Sequence, residues 1–217
     1  MADPILFGPG YSTYARSVRL TLEEKGVPYQ VVEVTNLQQF VTQGMPAEQL
    51  ERHPFNKVPA FEHDGNIIYE TSAIERYIDE AFDGPSLQPS DALGRARMMQ
   101  VISVVDCYAY NWMDIQIVIP RLVVPMMGGT TDDAVIEAAL PEASKTAAAL
   151  DTLIGDQPFM ASESLSLADL HLVPILVYFS LTPEGVEILR GAPKLAAWLD
   201  RMKSRPSVVK CCPSEII

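Results

Sequence analysis

Two short segments hold the residue types that can bind a small charged ligand. Asn56-Lys57-Val58-Pro59-Ala60-Phe61 is followed, eleven residues after Pro59, by Glu70-Thr71-Ser72-Ala73-Ile74. A proline entering a strand withholds a ladder donor, so Pro59 marks a special turn. If the Val58-Pro59 bond is cis, that turn leaves the Val58 amide and carbonyl free to pair with an extended, peptide-like ligand, much as an added strand would. Glu70-Thr71 falls where a strand passes into a helix N-terminus. Backbone amides and a hydroxyl there bind a carboxylate, and the Glu70 carboxylate receives an ammonium group. A carboxylate and an ammonium on one carbon describe the end of an α-amino acid. The plainer alternative is a turn proline at 59 and a helix cap at Thr71 or Ser72.

The elements that must position these residues alternate strand and helix over residues 1–83. Ile5-Leu6-Phe7 is a short apolar run closed by Gly8-Pro9-Gly10. Ala15, Val18 and Leu22 then recur at helical spacing until Gly26 and Pro28 stop the helix. Tyr29 to Val34 reads as a β-branched strand. Thr35 to Arg52 has no clear pattern. Ala60–Glu62 and Ile67–Tyr69 flank Asp64-Gly65, a favoured hairpin turn. The following helix carries Ile74, Tyr77, Ile78, Ala81 and Phe82 on one face, with Ser72 and Glu75 spaced as a capping box.

Asp83 to Asp91 holds two prolines, a glycine and small polar residues, and separates this half from one without strand alternation. Asp91 to about Met127 reads as a long helix that Pro120 kinks or breaks, and Asp132 to about Ile154 as another. Ser166-Leu167-Ala168-Asp169 opens a third, with Leu165 placed to staple onto Leu170. Pro183 and Pro193 open two shorter helices. The expected architecture is therefore a small α/β domain, a linker over 84–91, and an all-helical domain over 92–217.

Composition limits the partners. The chain has 217 residues, with 16 Lys+Arg against 28 Asp+Glu, a net charge of −12. Such a balance repels nucleic acid and an acidic membrane surface alike. The most apolar region, Met98 to Met127, is interrupted by Asp106, Asp114 and Arg121, so no membrane span is expected. The N-terminus lacks the basic and apolar regions of an export signal. Three cysteines, Cys107, Cys211 and Cys212, form no disulfide framework, which fits a reducing, cytoplasmic setting. Cys107 reads as a buried small hydrophobe, and a Cys211–Cys212 bridge would be strained. His53, His63 and His171 have no metal-ligand spacing, and no metal is expected.

Taken together in this order and spacing, Val58-Pro59, Glu70-Thr71, the Pro-rich linker and Ser166-Leu167-Ala168-Asp169-Leu170 resemble a soluble glutathione S-transferase over nearly the whole chain. The resemblance implies a thioredoxin-like N-terminal domain binding glutathione and an all-α C-terminal domain supplying much of a hydrophobic co-substrate pocket, with the site in the cleft between them. It implies glutathione as co-substrate with no further cofactor, and a homodimer to which Phe55 contributes. By the same resemblance, Lys57, Val58, Pro59, Glu70 and Thr71 bind glutathione.

Phe7-Gly8-Pro9-Gly10-Tyr11-Ser12-Thr13-Tyr14-Ala15-Arg16-Ser17-Val18 looks most like the serine-type classes, phi-like or a related bacterial class, whose catalytic hydroxyl matches Ser12. The position suits that role. A hydroxyl beside a helix N-terminus donates to a thiolate, and the helix dipole favours the same charge. A free thiol near pKa 8.5 is largely un-ionised at neutrality, and lowering that pKa is the catalytic task. Alternatively, Ser12 is only a helix cap and Tyr11, Thr13 or Tyr14 supplies the hydroxyl. The absence of a cysteine here excludes Cys-x-x-Cys chemistry and the single-cysteine classes that work through a mixed disulfide.

Glutathione is anionic, so a chain at −12 needs local cations. Lys57 is placed to reach the glycine carboxylate, and Arg16, one turn after Ser12, to bias the local field or pair with an acid. Two departures stand out. Relatives often read Glu-Ser-Arg where this chain has Glu70-Thr71-Ser72, and Thr35 to Arg52, where they place a second glycine-carboxylate contact, does not align. In the helical half, Tyr108, Trp112 and Ile115 fall on one α-helical face, with Tyr110 and Met113 turned away. Tyr11, Tyr108 and Trp112 are the candidates for the hydrophobic pocket, against a bland reading as core or interface. Peroxide reduction and dehalogenation start from the same thiolate and compete with conjugation as readings. A non-catalytic binding or scaffold protein is the alternative from another class.

Overall fold

A computed structural model describes residues 3–212. The chain divides into two compact units, the first running to Leu87 and the second starting at Gln88. The first unit follows the order β1 (Ile5–Phe7), α1 (Thr13–Lys25), β2 (Gln30–Val32), α2 (Leu37–Gln43), a 3-10 helix (Ala47–Glu51), β3 (Ala60–His63), β4 (Asn66–Tyr69) and α3 (Thr71–Ala81). The sheet order is β2-β1-β3-β4, with β1 parallel to β2 and antiparallel to β3, and β3 antiparallel to β4. This is the mixed sheet of the expected thioredoxin-like domain.

Local chemistry accounts for the boundaries. Helix α1 ends at Gly26, whose φ of 70° is left-handed, the conformation a helix C-terminus most readily gives to glycine. The β3–β4 turn has positive φ at both Asp64 (49°) and Gly65 (77°), as the hairpin dipeptide predicts. Leu6, Val18, Leu22, Phe61, Ile74 and Ile78 form a fully buried core. Lys25 and Asp79 add a buried ion pair at 3.2 Å. Lys25 Nζ also donates to Pro85 O at 3.1 Å, and Leu87 N donates to Asp79 Oδ1 at 2.8 Å. The first half of the 84–91 segment is thereby fastened to the first unit, and Leu87 is buried.

Three expectations change here. Thr35 to Arg52 holds α2, opened by a capping box in which Gln39 N donates to Asn36 Oδ1 at 2.9 Å and Asn36 N to Gln39 Oε1 at 3.3 Å. The Asn-x-x-Gln signal was present in the sequence, but Phe40 and Val41 stay exposed, so no core-facing stripe announced the helix. The Ser72/Glu75 box does not form. Helix α3 begins at Thr71 with Glu70 in the cap position, and Glu75 is fully buried. The strand expected over Tyr29–Val34 is only Gln30–Val32, the three residues that find partners in Ile5, Leu6 and Phe7.

The second unit is helical throughout its described residues. Asp91 caps α4 (Ala92–Val104) by accepting from Gly94 N at 2.9 Å. From Val105 to Val123 the chain continues as a π-helix, followed by α5 (Val124–Met126). At its end Val124 N bonds to Ile119 O, an i→i+5 step. The helix is not broken at Pro120. The wider winding, which starts well before it, eases the clash between a proline ring and the carbonyl four residues back. Cys107 on this helix is exposed, contrary to expectation, while Cys211 and Cys212 are buried.

Helix α6 (Asp133–Ile154) starts at its Asp132 cap, and α7 (Leu167–Phe179) is buried along its whole length. Asp169 anchors α7, accepting from Ser166 N, Ser166 Oγ, Met160 N and Trp198 Nε1 at 2.8–2.9 Å. Helices α8 (Pro183–Arg190) and α9 (Pro193–Lys203) open on the expected prolines, and α10 (Pro206–Cys211) opens in the same way. Among the described residues no helix is long and apolar enough to cross a membrane.

Candidate glutathione site on the first unit

Strand register brings the predicted residues to one end of the sheet. Phe7 pairs with Val32 and with Ala60, and Ala60 pairs with Tyr69. The next residues beyond these pairs are Gly8, Glu33, Pro59 and Glu70, so four connections emerge side by side. Gly8 makes the approach possible. A Cβ there would stand 2.8 Å from the Ala15 side chain and 3.7 Å from Pro59 Cβ.

Ser12 is the N-cap of α1. Its Oγ accepts from Ala15 N at 3.3 Å, which leaves the hydroxyl proton for another acceptor. No acidic residue lies in the first turn of α1, so no side chain of that turn opposes an anion at the positive end of its dipole. The loop before Ser12 is held from two sides. Gly10 N donates to both Glu33 carboxylate oxygens at 3.1 and 3.0 Å, and buried Arg16 donates from Nε to Gly10 O at 2.7 Å. Of the two roles expected for Arg16, the geometry adds a third: it fastens the loop.

Of the other hydroxyls, Thr13 is buried, while Tyr11 and Tyr14 are partly buried. Tyr11 lies 6.3 Å from the Phe40 ring. Burial, and then the Glu33 charge, push its phenol up to about 12.

The Val58-Pro59 bond is cis. Pro59 is buried, Val58 partly so, and Lys57 exposed. Gln49, itself buried, donates from Nε2 to Lys57 O at 2.9 Å, and its Oε1 is buried without a hydrogen-bond partner. Glu70 stands at φ 69°, a region that costs a non-glycine residue energy and recurs at ligand clamps. Its side chain makes no cap bond, so the carboxylate faces outward, 62% exposed. Thr71, the first residue of α3, is buried. Ser72 sits in the first turn of α3 and adds no charge.

The expected pocket residues distribute differently. Tyr108 and Trp112 lie on the π-helix of the second unit, Tyr108 exposed and Trp112 partly buried, while Met113 is fully buried. With i→i+5 bonding a turn holds more than 3.6 residues, so the seven-residue step from Tyr108 to Ile115 no longer returns to one face. Sequence reasoning missed Glu33, Gln49, Arg52 and His53. Arg52, with its Cζ 4.3 Å from the Phe7 ring centroid, is the cation that the unaligned segment brings to the end of β1. Their signal was adjacency in the folded unit, which tertiary packing carries and local pattern does not.

Comparison with known proteins agrees with this frame. The family described as glutathione S-transferase, N-terminal domain matches residues 6–86, and glutathione S-transferase, C-terminal domain matches residues 133–201. The chain is 31% identical to a probable glutathione S-transferase GSTF1 of Oryza sativa subsp. japonica over 94% of this chain and 93% of that protein. It is 30% identical to glutathione S-transferase F6 of Arabidopsis thaliana over 97% and 99%. Among solved structures it is similar to glutathione transferase F7 from Populus trichocarpa, with a TM-score of 0.85, 25% identity and coverage of 97% and 98%. It is similar as well to glutathione S-transferase I from maize in complex with an atrazine glutathione conjugate, with a TM-score of 0.83, 27% identity and 98% coverage of both chains. The chain belongs to the glutathione S-transferase family.

Proposed function

We propose that this protein conjugates glutathione to hydrophobic electrophiles, with Ser12 as the catalytic hydroxyl. Glutathione lies with its peptide edge along Val58-Pro59 and its amino-acid end at Glu70 and Thr71. The Glu70 carboxylate takes the ammonium, and the amides at the start of α3, with the Thr71 hydroxyl, take the carboxylate. Lys57 serves the glycine carboxylate. The sulfur then sits at the start of α1, where the Ser12 O–H donates to it and the thiol proton leaves to solvent. The thiolate attacks the electrophilic carbon, forming the S–C bond as the leaving group departs with its electron pair.

The observation that supports this reading most directly is the Ser12 hydroxyl. Its oxygen is bonded to Ala15 N and its proton remains to be given, at the sheet end that also carries Pro59 and Glu70. Tyr11, packed near Phe40, offers an apolar wall to the co-substrate, and Tyr108 and Trp112 stay the candidates on the helical unit. Exposed Phe55 (69%) suits a contact in a homodimer.

The test is Ser12→Ala with a chromogenic electrophile. Conjugation falls by about 10²-fold or more, while retention on immobilised glutathione persists. Undiminished turnover moves the role to another hydroxyl. Binding without turnover in the unsubstituted protein supports the non-catalytic reading instead.

A further inference from the structure

His53 has no role in the conjugation just described, yet it touches both binding segments of the site. Its ring is buried. The main chain fixes it, since His53 N donates to Gln49 O and Asn56 N to His53 O, each at 2.8 Å. Phe55 N donates to His53 Nδ1 at 3.3 Å. An imidazole nitrogen that accepts from an amide carries no proton, so the neutral ring holds its proton on Nε2. That nitrogen faces Glu70 Oε1 at 4.0 Å. The ring packs 5.0 Å from Tyr69, the residue before Glu70, and 6.1 Å from Phe55.

We propose that His53 is a positioning residue for the ammonium end of glutathione: neutral, it stands beside the Glu70 carboxylate and leaves its charge to the ligand, and protonated, it competes with the ligand for that carboxylate. The proposal rests on Glu70 as the ammonium contact. Protonation acts twice. It sets a second cation against the incoming ammonium, and it puts a proton on Nδ1, where the Phe55 amide needs an acceptor. The second effect bears on the turn that leads to Lys57 and Val58. Acid therefore weakens both contacts from one residue.

The surroundings set the pH range. Burial, the largest influence, lowers the His53 pKa below 6.5; Glu70 opposes this and Lys57 reinforces it. Tyr69 and Phe55 add no charge, and neighbouring Arg52 is turned to the Phe7 ring. His53 is thus neutral above about pH 6.5, and the effect appears as pH falls below that value. Between about pH 5 and 7 the carboxylates and ammonium of glutathione keep their charge. By reciprocity, a bound ammonium lowers the His53 pKa further, and binding at acid pH releases a proton.

Calorimetric titration of the full chain with S-methylglutathione, whose sulfur cannot ionise, tests this without interference from the thiol. The dissociation constant is expected to rise roughly three- to tenfold from pH 7.5 to pH 5. Proton release should register as a heat that depends on the buffer. In His53→Asn the affinity stays flat over that range, and in Glu70→Gln the slope shrinks to what the Phe55 turn contributes. As a check on the unsubstituted protein, the His53 ring resonance should titrate at lower pH with ligand than without. Equal slopes in the unsubstituted protein and His53→Asn, or a ring pKa that ligand does not move, overturn the proposal. No binding of S-methylglutathione at pH 7.5 overturns the glutathione reading itself, and this proposal with it.

Discussion

Tyr11 and Ser12 are adjacent hydroxyls with different prospects. The phenol of Tyr11, pushed up to about 12 by burial and the Glu33 charge, stays protonated across the working range and is a weak donor to a thiolate. Its contribution is its ring, near Phe40. Ser12 has an anchored oxygen and a proton to give. Tyr11→Phe is therefore expected to leave kcat/KM within about threefold and the acid limb of the pH–rate profile in place. A thiol pKa displaced upward in that variant would return the catalytic hydroxyl to Tyr11. Ser12 and Glu70 could be singled out by residue type and position alone. His53, Gln49 and Glu33 could not, because each acts through a partner 8 to 23 positions away in sequence, and only the folding of the whole unit brings such partners together.

At the scale of elements, α7 depends on a single buried carboxylate. Four donors converge on Asp169 while burial pushes its pKa up, so its removal strands polar groups that water cannot reach. Asp169→Ala is expected to cost about 3–5 kcal/mol, read as a shift of the urea midpoint. Asp169→Asn, which keeps one acceptor oxygen, should recover part of the loss. A midpoint unchanged in Asp169→Ala would mean that those donors find other partners. The start of this helix was legible because Ser-x-x-Asp before an apolar run is a local signal. The start of α3 was not. Its cap is Glu70 at a left-handed φ, which no sequence preference predicts, and the Ser72/Glu75 spacing pointed two positions too far along. The π-winding of Val105–Val123 was equally silent, since an apolar stretch reads as an α-helix unless packing imposes another pitch.

Over the whole molecule, the charge of −12 opposes an anionic ligand at long range, whereas the contacts proposed for Glu70, Lys57 and the helix ends act at contact distance. Salt screens the first far more than the second. The association rate of glutathione, measured by stopped flow, is therefore expected to increase as ionic strength is raised from about 10 to 150 mM. A falling rate would indicate a positive funnel that outweighs the net charge. The two units divide the work: every residue assigned to glutathione belongs to the first, and the second is organised around buried α7.

The sequence by itself determined the two-part architecture, the hairpin at Asp64-Gly65, most helix starts, the hydroxyl in place of a cysteine, and the pair Val58-Pro59 and Glu70-Thr71. These depend on periodicity, turn chemistry and residue type, all of them local. Only the tertiary structure decided that residues 85–87 belong with the first unit, that α2 fills the unpatterned segment, that Cys107 faces outward, and that His53 looks at Glu70. Those outcomes depend on which strands pair and in what register, a choice made by burial of the shared core rather than by any one stretch of chain.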